Sequence, residues 1–380
     1  MKHRSTRTLG LLLALALAVA VPAALGKPKP KPKHQAKAAK KTGHPSRGRD
    51  VQHVFVIMLE NHSQQGVIGD PNAPAITALA HRYASASNYY GVTHPSLPNY
   101  VAFLSGSNWW SNSDDAGQRF DHVNLVDQLE RAHRTWAGYM EAMPADDKLV
   151  EAWPSTANAL YASKHNPFVL FEDIRNDPAR LAHVKPYAQL ATDLKRQATT
   201  PDFAFIVPDQ CNDMHGGVYT AVPGHPETPC PYGSTSDDAN DAALKQKADA
   251  WVKQAVDTIT ASPAWKGGKS VIVVTADEGD YTGNAETGGW DSPAGCCDSP
   301  VLPAGAPAVS ATWPGGVYGG GLVPTVVITN HGGPPSGYVS TVPYNHYSLL
   351  ATIEQLWGLG KLVYASDTAQ VTPMLDLFPK

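Results

Sequence analysis

Two adjacent carboxylates, Asp277 and Glu278, stand directly after the run Ser270-Val271-Ile272-Val273-Val274-Thr275-Ala276. A third, Glu60, stands beside Asn61 after Val54-Phe55-Val56-Ile57-Met58-Leu59. Apolar, β-branched runs of this kind read as buried strands. In an open α/β sheet, ligands collect beyond the carboxyl ends of the strands, so two strand ends can furnish one site. Three carboxylates gathered there repel one another unless a proton or a divalent cation lies between them. The first chemical expectation is a cation held by oxygen ligands, with Mg²⁺, Ca²⁺ or Mn²⁺ favoured over zinc.

Other chemistry-bearing residues are spaced as if to join that site. In His94-Pro95-Ser96-Leu97-Pro98-Asn99-Tyr100 a serine stands on a proline-stiffened segment ahead of a helix that Gly106 ends. A helix N-terminus gathers N–H groups that favour an anion, although a serine there can also be a plain cap. The chain has no G-x-S-x-G elbow, so an α/β-hydrolase triad is not the natural account. Asp209, Asp213 and His215 fall within seven residues, just after the apolar run Phe203-Ala204-Phe205-Ile206-Val207. An Asx-rich turn is the competing explanation. His165 follows Lys164, and His346 lies in Tyr344-Asn345-His346-Tyr347-Ser348 at the opening of the last helix. Lone histidines at such places more often serve structure than catalysis. If Asp213, His215 and His346 held a second ion, that ion could be zinc.

Positioning these groups requires strands that end at one rim. The pattern predicts strands over 52–59, 135–140, 168–170, 203–207, 271–276 and 323–328. It predicts helices over 73–84, 99–104, 125–133, 188–197, 239–262 and 348–357. In the longest of them Val252, Val256 and Ile259 recur at steps of four and three, which builds one apolar face. Strands alternating with helices give an α/β fold: a single domain with a mostly parallel central sheet flanked by helices.

The two ends of the chain differ in character. Lys2, Arg4 and Arg7 precede an apolar stretch over 9–21 and the small-residue exit Ala24-Leu25-Gly26. That is the pattern of a secretory signal peptide over 1–26, too short for a comfortable membrane span. Residues 27–49 alternate lysine with proline and then continue in Lys, Ala, His and Gly, with nine Lys or Arg and no acid. Such a composition stays an extended, disordered linker. The folded part over 50–380 keeps 18 of the 30 Lys and Arg against all 34 Asp and Glu, a balance near −16. No nucleic-acid partner is expected on so acidic a surface. The basic tail is either a spacer or a peripheral contact with anionic cell wall or membrane. The expected location is secreted, extracellular or periplasmic, where disulfides form. Four cysteines allow three pairings. The expectation is that Cys211 and Cys230 reach Cys296 and Cys297, or each other, and that the adjacent pair does not close on itself.

Taken in order, the segments Val56-Ile57-Met58-Leu59-Glu60-Asn61-His62-Ser63, His94 to Tyr100, Lys164-His165-Asn166-Pro167-Phe168, Asn212-Asp213-Met214-His215, Asp277-Glu278-Gly279 and Asn345-His346-Tyr347-Ser348-Leu349-Leu350 resemble a known set. The chain is similar to the phosphoesterase family of secreted bacterial acid phosphatases and phospholipases C, within the alkaline-phosphatase-like superfamily. The resemblance spans nearly all of 50–380, which it marks as the catalytic domain. It implies that Glu60, Asn61, Asp277 and Glu278 hold one divalent metal and that Ser96 is both its ligand and the nucleophile. It further implies a phosphoserine intermediate, with His165, Asp213, His215 and His346 lining the pocket and His94 and Asp209 as weaker candidates. The implied partner is a small phosphate ester or a phospholipid headgroup. A phospholipase C-type diesterase is the alternative, for which Trp109-Trp110 offers a lipid-facing pair. Less favoured are a non-catalytic surface-binding relative and a sulfatase, which would want arginine where Tyr100 stands. The loop after Asp280, with its Gly, Pro and adjacent cysteines, departs from the family pattern and leaves the substrate-facing rim open.

Overall fold

The structure is a computed structural model, and it describes residues 51–233, 239–280, 294–299 and 317–380. The expected leader, the basic linker and most of the Gly/Pro-rich insertion over 279–320 lie outside the described residues.

Eight strands form the central sheet: β1 (Val51–Leu59), β2 (Ala84–Ala86), β3 (Trp136–Met140), β4 (Val184–Pro186), β5 (Phe203–Val207), β6 (Lys269–Ala276), β7 (Thr325–Thr329) and β8 (Val339–Ser340). Their order is β8-β2-β7-β6-β1-β5-β3-β4. Only β7 runs against its neighbours, so the sheet is mostly parallel, as the alternating pattern requires. Every residue from Val54 to Leu59 is fully buried, which a strand at the centre of a doubly covered parallel sheet must be.

Register brings the chemistry together. Leu59 pairs with Ala276 across the β1–β6 ladder, and the Asp277 N–H donates to the Leu59 carbonyl at 3.0 Å. Glu60 and Asp277 are therefore the next residues out on adjacent strands. On the other flank β5 pairs with β1, and the Glu60 N–H donates to the Asp213 carbonyl at 2.8 Å.

Five helices of at least seven residues flank the sheet among the described residues: α1 (Pro74–Arg82), α2 (Ser96–Ser105), α3 (Leu125–Arg131), α4 (Ala239–Ala261) and α5 (His346–Trp357). Helix α2 packs against α5 and is buried along its whole length. It starts three residues earlier than predicted. Pro98 falls in its first turn, where the missing N–H has no partner to lose. Gly106 ends it with φ +77°, and an added Cβ would meet the Leu362 carbonyl oxygen at 2.6 Å. Asn345 caps α5 by accepting from the N–H groups of Tyr347 and Ser348.

Three expectations are corrected. The segment around Phe168 is a 3₁₀ turn, Pro167–Val169, rather than a strand. The predicted helix over 188–197 breaks into a 3₁₀ turn, one α turn Leu190–Asp193 and another 3₁₀ turn. Thr199 donates its hydroxyl to the Asp193 carbonyl at 2.7 Å, taking the acceptor that a continuing helix would use. The adjacent cysteines do close on each other: Cys296–Cys297 is a disulfide, and Cys211–Cys230 is the second. Cys211 and Cys230 sit in an apolar cluster with Leu160, Val218 and Leu244. Cys296 and Cys297 are held elsewhere, their carbonyls accepting from the Asn345 side chain at 3.0 Å each.

Candidate active site

Ser96, the first residue of α2, is 1% exposed and is aimed at the strand ends. Its Oγ lies 2.9 Å from Glu60 Oε2 and 3.0 Å from Glu278 Oε1. A hydroxyl has one proton and cannot donate to both acceptors at once. Tyr100, one turn along the same helix face, donates its hydroxyl to Glu60 Oε1. Asp277 is fixed from its backbone side, with Oδ1 accepting from the N–H of Asn61 at 3.1 Å and of Glu278 at 2.7 Å. Asn61 meets it in a left-handed conformation, φ +55°, uncommon for a residue with a side chain. Asp277 Oδ2 is buried with no hydrogen-bond partner.

Histidines close the other flank. His165 stacks on the Tyr100 ring at 5.4 Å between centroids, with Nε2 3.3 Å from Glu60 Oε1 and Nδ1 3.8 Å from Asp213 Oδ2. His215 donates from Nδ1 to the Gly216 carbonyl at 2.9 Å, which leaves a lone pair on Nε2. Asp213 accepts from the His215 N–H at 2.7 Å, locking the turn that carries both. His94 Nδ1 touches Glu278 Oε2. Behind the site His62 reaches both the Glu60 carbonyl at 3.2 Å and Asp241 Oδ1 at 2.6 Å, anchoring the β1 exit to α4.

Electrostatics follow from the burial. Desolvation first, and the neighbouring carboxylates next, push Glu60, Asp277, Glu278 and Asp213 all well above the usual carboxylate range. For Asp213 the neighbouring carboxylates include Asp277. Burial likewise pushes His165 well below the ordinary imidazole value, and His94 and His215 down to about 4. Lys164 is the local cation. Burial alone would lower it, but Asp114 and Glu60 outweigh that and hold it above the usual lysine value. Its Nζ sits 2.7 Å from Asp114 Oδ2, while Asp114 Oδ1 accepts from the Leu97 N–H at 3.0 Å. A cavity of about 370 Å³ opens here, lined by Asp114, Lys164, Gln210, His215, Tyr219 and Tyr232 among others.

This donor set fits a divalent cation. A shared serine proton, an unpartnered buried carboxylate oxygen and crowded acids are all relieved by one positive ion among oxygen ligands. Ligand atoms of Glu60, His165 and His215 also lie within 4.8 Å of one another, so nitrogen donors stand on the same flank. A second ion on Asp213, His215 and His346 does not match this grouping.

Of the residues singled out from the sequence, Glu60, Ser96, Glu278, Asp277, Asp213, His165 and His215 converge. Asn61 contributes its N–H to Asp277. His346 does not face the pocket as expected: Nε2 donates to the Asp277 carbonyl at 2.6 Å and Nδ1 accepts from the Tyr89 hydroxyl at 3.0 Å. It orients the Asp277 backbone, and both its nitrogens are spent. Asp209 caps its own turn. Tyr100, Lys164 and Asp114 were missed. The four-residue spacing from Ser96 could have signalled Tyr100, whereas Asp114 carries no local signal.

The chain matches the family model described as Phosphoesterase family over residues 70–225 and 232–360. A phosphatidylinositol-3-phosphatase of Mycobacterium tuberculosis is 26% identical over 322 residues, 84% of this chain and 81% of that protein. A probable acid phosphatase of Kluyveromyces lactis is 32% identical over 171 residues, 44% of this chain and only 40% of that protein's length. In fold, the chain is similar to the phosphonate monoester hydrolase of Silicibacter pomeroyi, with a TM-score of 0.50, 14% identity, and 85% of this chain and 76% of that one covered. With the family model spanning most of the folded part and the parallel sheet carrying its acids to a single rim, the chain belongs to the Phosphoesterase family.

Proposed function

We propose that the protein is an exported, metal-dependent phosphoric ester hydrolase of acid phosphatase type that uses Ser96 as its nucleophile. The observation that carries this reading is the Ser96 hydroxyl, buried at a helix N-terminus within 3.0 Å of both Glu60 and Glu278. A divalent ion held by Glu60, Asp277, Glu278 and Ser96 would supply positive charge against phosphoryl oxygens and lower the pKa of the serine hydroxyl.

The chain's own groups do the rest. Ser96 passes its proton to the Glu278 carboxylate, whose Oε1 stands 3.0 Å from the hydroxyl. Ser96 Oγ attacks phosphorus, the Oγ–P bond forms and the ester P–O bond breaks. The leaving oxygen takes a proton from His215 at the cavity wall, where a bound phosphate dianion offsets the desolvation that otherwise keeps the ring neutral. Lys164 draws the substrate's non-bridging oxygens into the cavity. Water then attacks the phosphoserine and gives a proton to His215, the Oγ–P bond breaks, Ser96 Oγ takes its proton back from Glu278, and inorganic phosphate leaves. The acidic surroundings argue that charge comes from the ion and Lys164 together, because an unassisted phosphate would be repelled.

A lipid-borne phosphate is the second reading. It is favoured by Trp110, 47% exposed on the loop that also supplies Asp114, and by the long match to a phosphatidylinositol phosphatase. The Cys211–Cys230 disulfide supports an oxidising compartment. The test is turnover of para-nitrophenyl phosphate against its phosphorylcholine ester, with each of Mg²⁺, Ca²⁺, Mn²⁺ and Zn²⁺. We expect the monoester to be cleaved faster. Faster turnover of the diester would move the assignment to a phospholipase C-type enzyme, and no phosphate release from any ester with any ion would leave a binding protein.

A further inference from the structure

A second cluster of metal-type side chains shares no residue with the grouping at Ser96. A carboxylate oxygen of Asp209, a ring nitrogen of His225 and a carboxylate oxygen of Glu227 lie within 4.8 Å of one another. Asp209 is 2% exposed. Its Oδ1 accepts from the N–H groups of Cys211 at 3.0 Å and Asn212 at 3.1 Å, while Oδ2 is buried with no hydrogen-bond partner. An orphaned, fully desolvated carboxylate oxygen is costly and wants an explanation.

The surroundings deepen the negative charge. Glu141, the first residue beyond β3, accepts on Oε2 from the Asp209 N–H at 3.0 Å and from the Asn212 side chain at 3.1 Å. After burial, Glu141 and Glu227 are the largest influences raising the Asp209 pKa. His225 Nδ1 and Glu227 Oε1 stand 2.8 Å apart, sharing a proton that an ion would displace. The Trp153 ring meets the His225 ring edge-on at 5.3 Å and helps fix its plane. A cavity of about 520 Å³ reaches His225 and Glu141, giving a path for an ion.

We propose that Asp209, His225 and Glu227 form a second divalent-cation site, suited to a zinc-type ion and separate from the one at Ser96. Two carboxylates and one imidazole are the donors such an ion takes, whereas Ca²⁺ wants six or more oxygens. The site has a mechanical use. His225 and Glu227 belong to the loop that Cys211–Cys230 closes, and Asp209 starts the turn that carries Asp213 and His215. The Asp209 carbonyl accepts from the N–H groups of Asn212 at 2.8 Å and Asp213 at 2.9 Å. An ion on Asp209 therefore ties the disulfide loop to the segment that presents His215 to the substrate cavity.

The test uses the full, disulfide-intact chain, with zinc content measured after equilibrium dialysis against buffered zinc. Wild type is compared with His225→Ala, Glu227→Gln and the double variant Glu60→Gln/Asp277→Asn. We expect His225→Ala and Glu227→Gln each to hold one zinc fewer than wild type, and the double variant to keep one zinc while losing hydrolysis. Equal zinc content in wild type and both loop variants overturns the site, whatever becomes of activity. Zinc should also slow proteolysis within 211–230 in wild type and in the double variant, but not in His225→Ala, which keeps the Cys211–Cys230 disulfide that closes the loop. Protection that persists in His225→Ala overturns the proposal as well.

Discussion

Replacing Ser96 with alanine removes a single oxygen from the point where α2 meets the ends of β1 and β6. That oxygen is 1% exposed and contacts Glu60 and Glu278. If it is the nucleophile, the variant must use a water instead, losing the advantage of a tethered and aligned attacking atom. Full loss of such positioning is worth roughly 7–11 kcal/mol. A water seated among the same carboxylates recovers part of this, so we expect kcat to fall by at least about a thousandfold, or ~4 kcal/mol. Stability moves far less. Alanine is the better helix former, while two buried carboxylates lose a shared donor at a cost of about 1–3 kcal/mol. For a domain of this size that lowers the melting temperature of metal-free protein by several degrees without unfolding it at 25 °C. The assay pairs steady-state kinetics with an acid quench after ³²P-labelled substrate: label should stay on wild type and be absent from the variant. Rates within about tenfold of each other, or equal labelling of both proteins, refute the role of Ser96.

Lys164→Ala should raise KM for an anionic ester more than it lowers kcat, by roughly tenfold or about 1.4 kcal/mol, because the lysine draws in substrate without reacting; an unchanged KM would take Lys164 out of the binding pocket. Chelated protein should lose stability as pH rises. Glu60, Asp277 and Glu278 have folded pKa values raised by burial, so the folded chain holds more protons than the unfolded chain between the ordinary carboxylate pKa and the raised ones, and stability falls across that window. Divalent metal should restore it increasingly toward pH 8, where the ligands are ionised. Urea midpoints from pH 5 to 8, with and without metal, measure this, and a gap that narrows as pH rises would count against metal ligation by these acids.

The sequence by itself determined the strands and where their chemistry leaves them. A run such as Val54 to Leu59 has no polar side chain with which to face water, so it must be central, and Glu60 must then stand at its carboxyl end. The same local logic delivered Asp277-Glu278 and Asp213-His215 to strand exits, and Ser96 to the start of a helix ended by Gly106. What only tertiary structure decided is direction and partnership. His346 and His215 look alike in sequence, yet one donates to the Asp277 backbone and the other faces the cavity, because α5 packs on α2 and turns its first residue inward. Asp114 enters from a loop with no periodic pattern, and its pairing with Lys164 and the Leu97 N–H depends on contacts 17 and 50 residues away. The vicinal disulfide and the Asp209–His225–Glu227 cluster are of the same kind. Backbone periodicity is a local property and can be read along the chain, whereas the direction of a polar side chain is set by whichever distant group satisfies it.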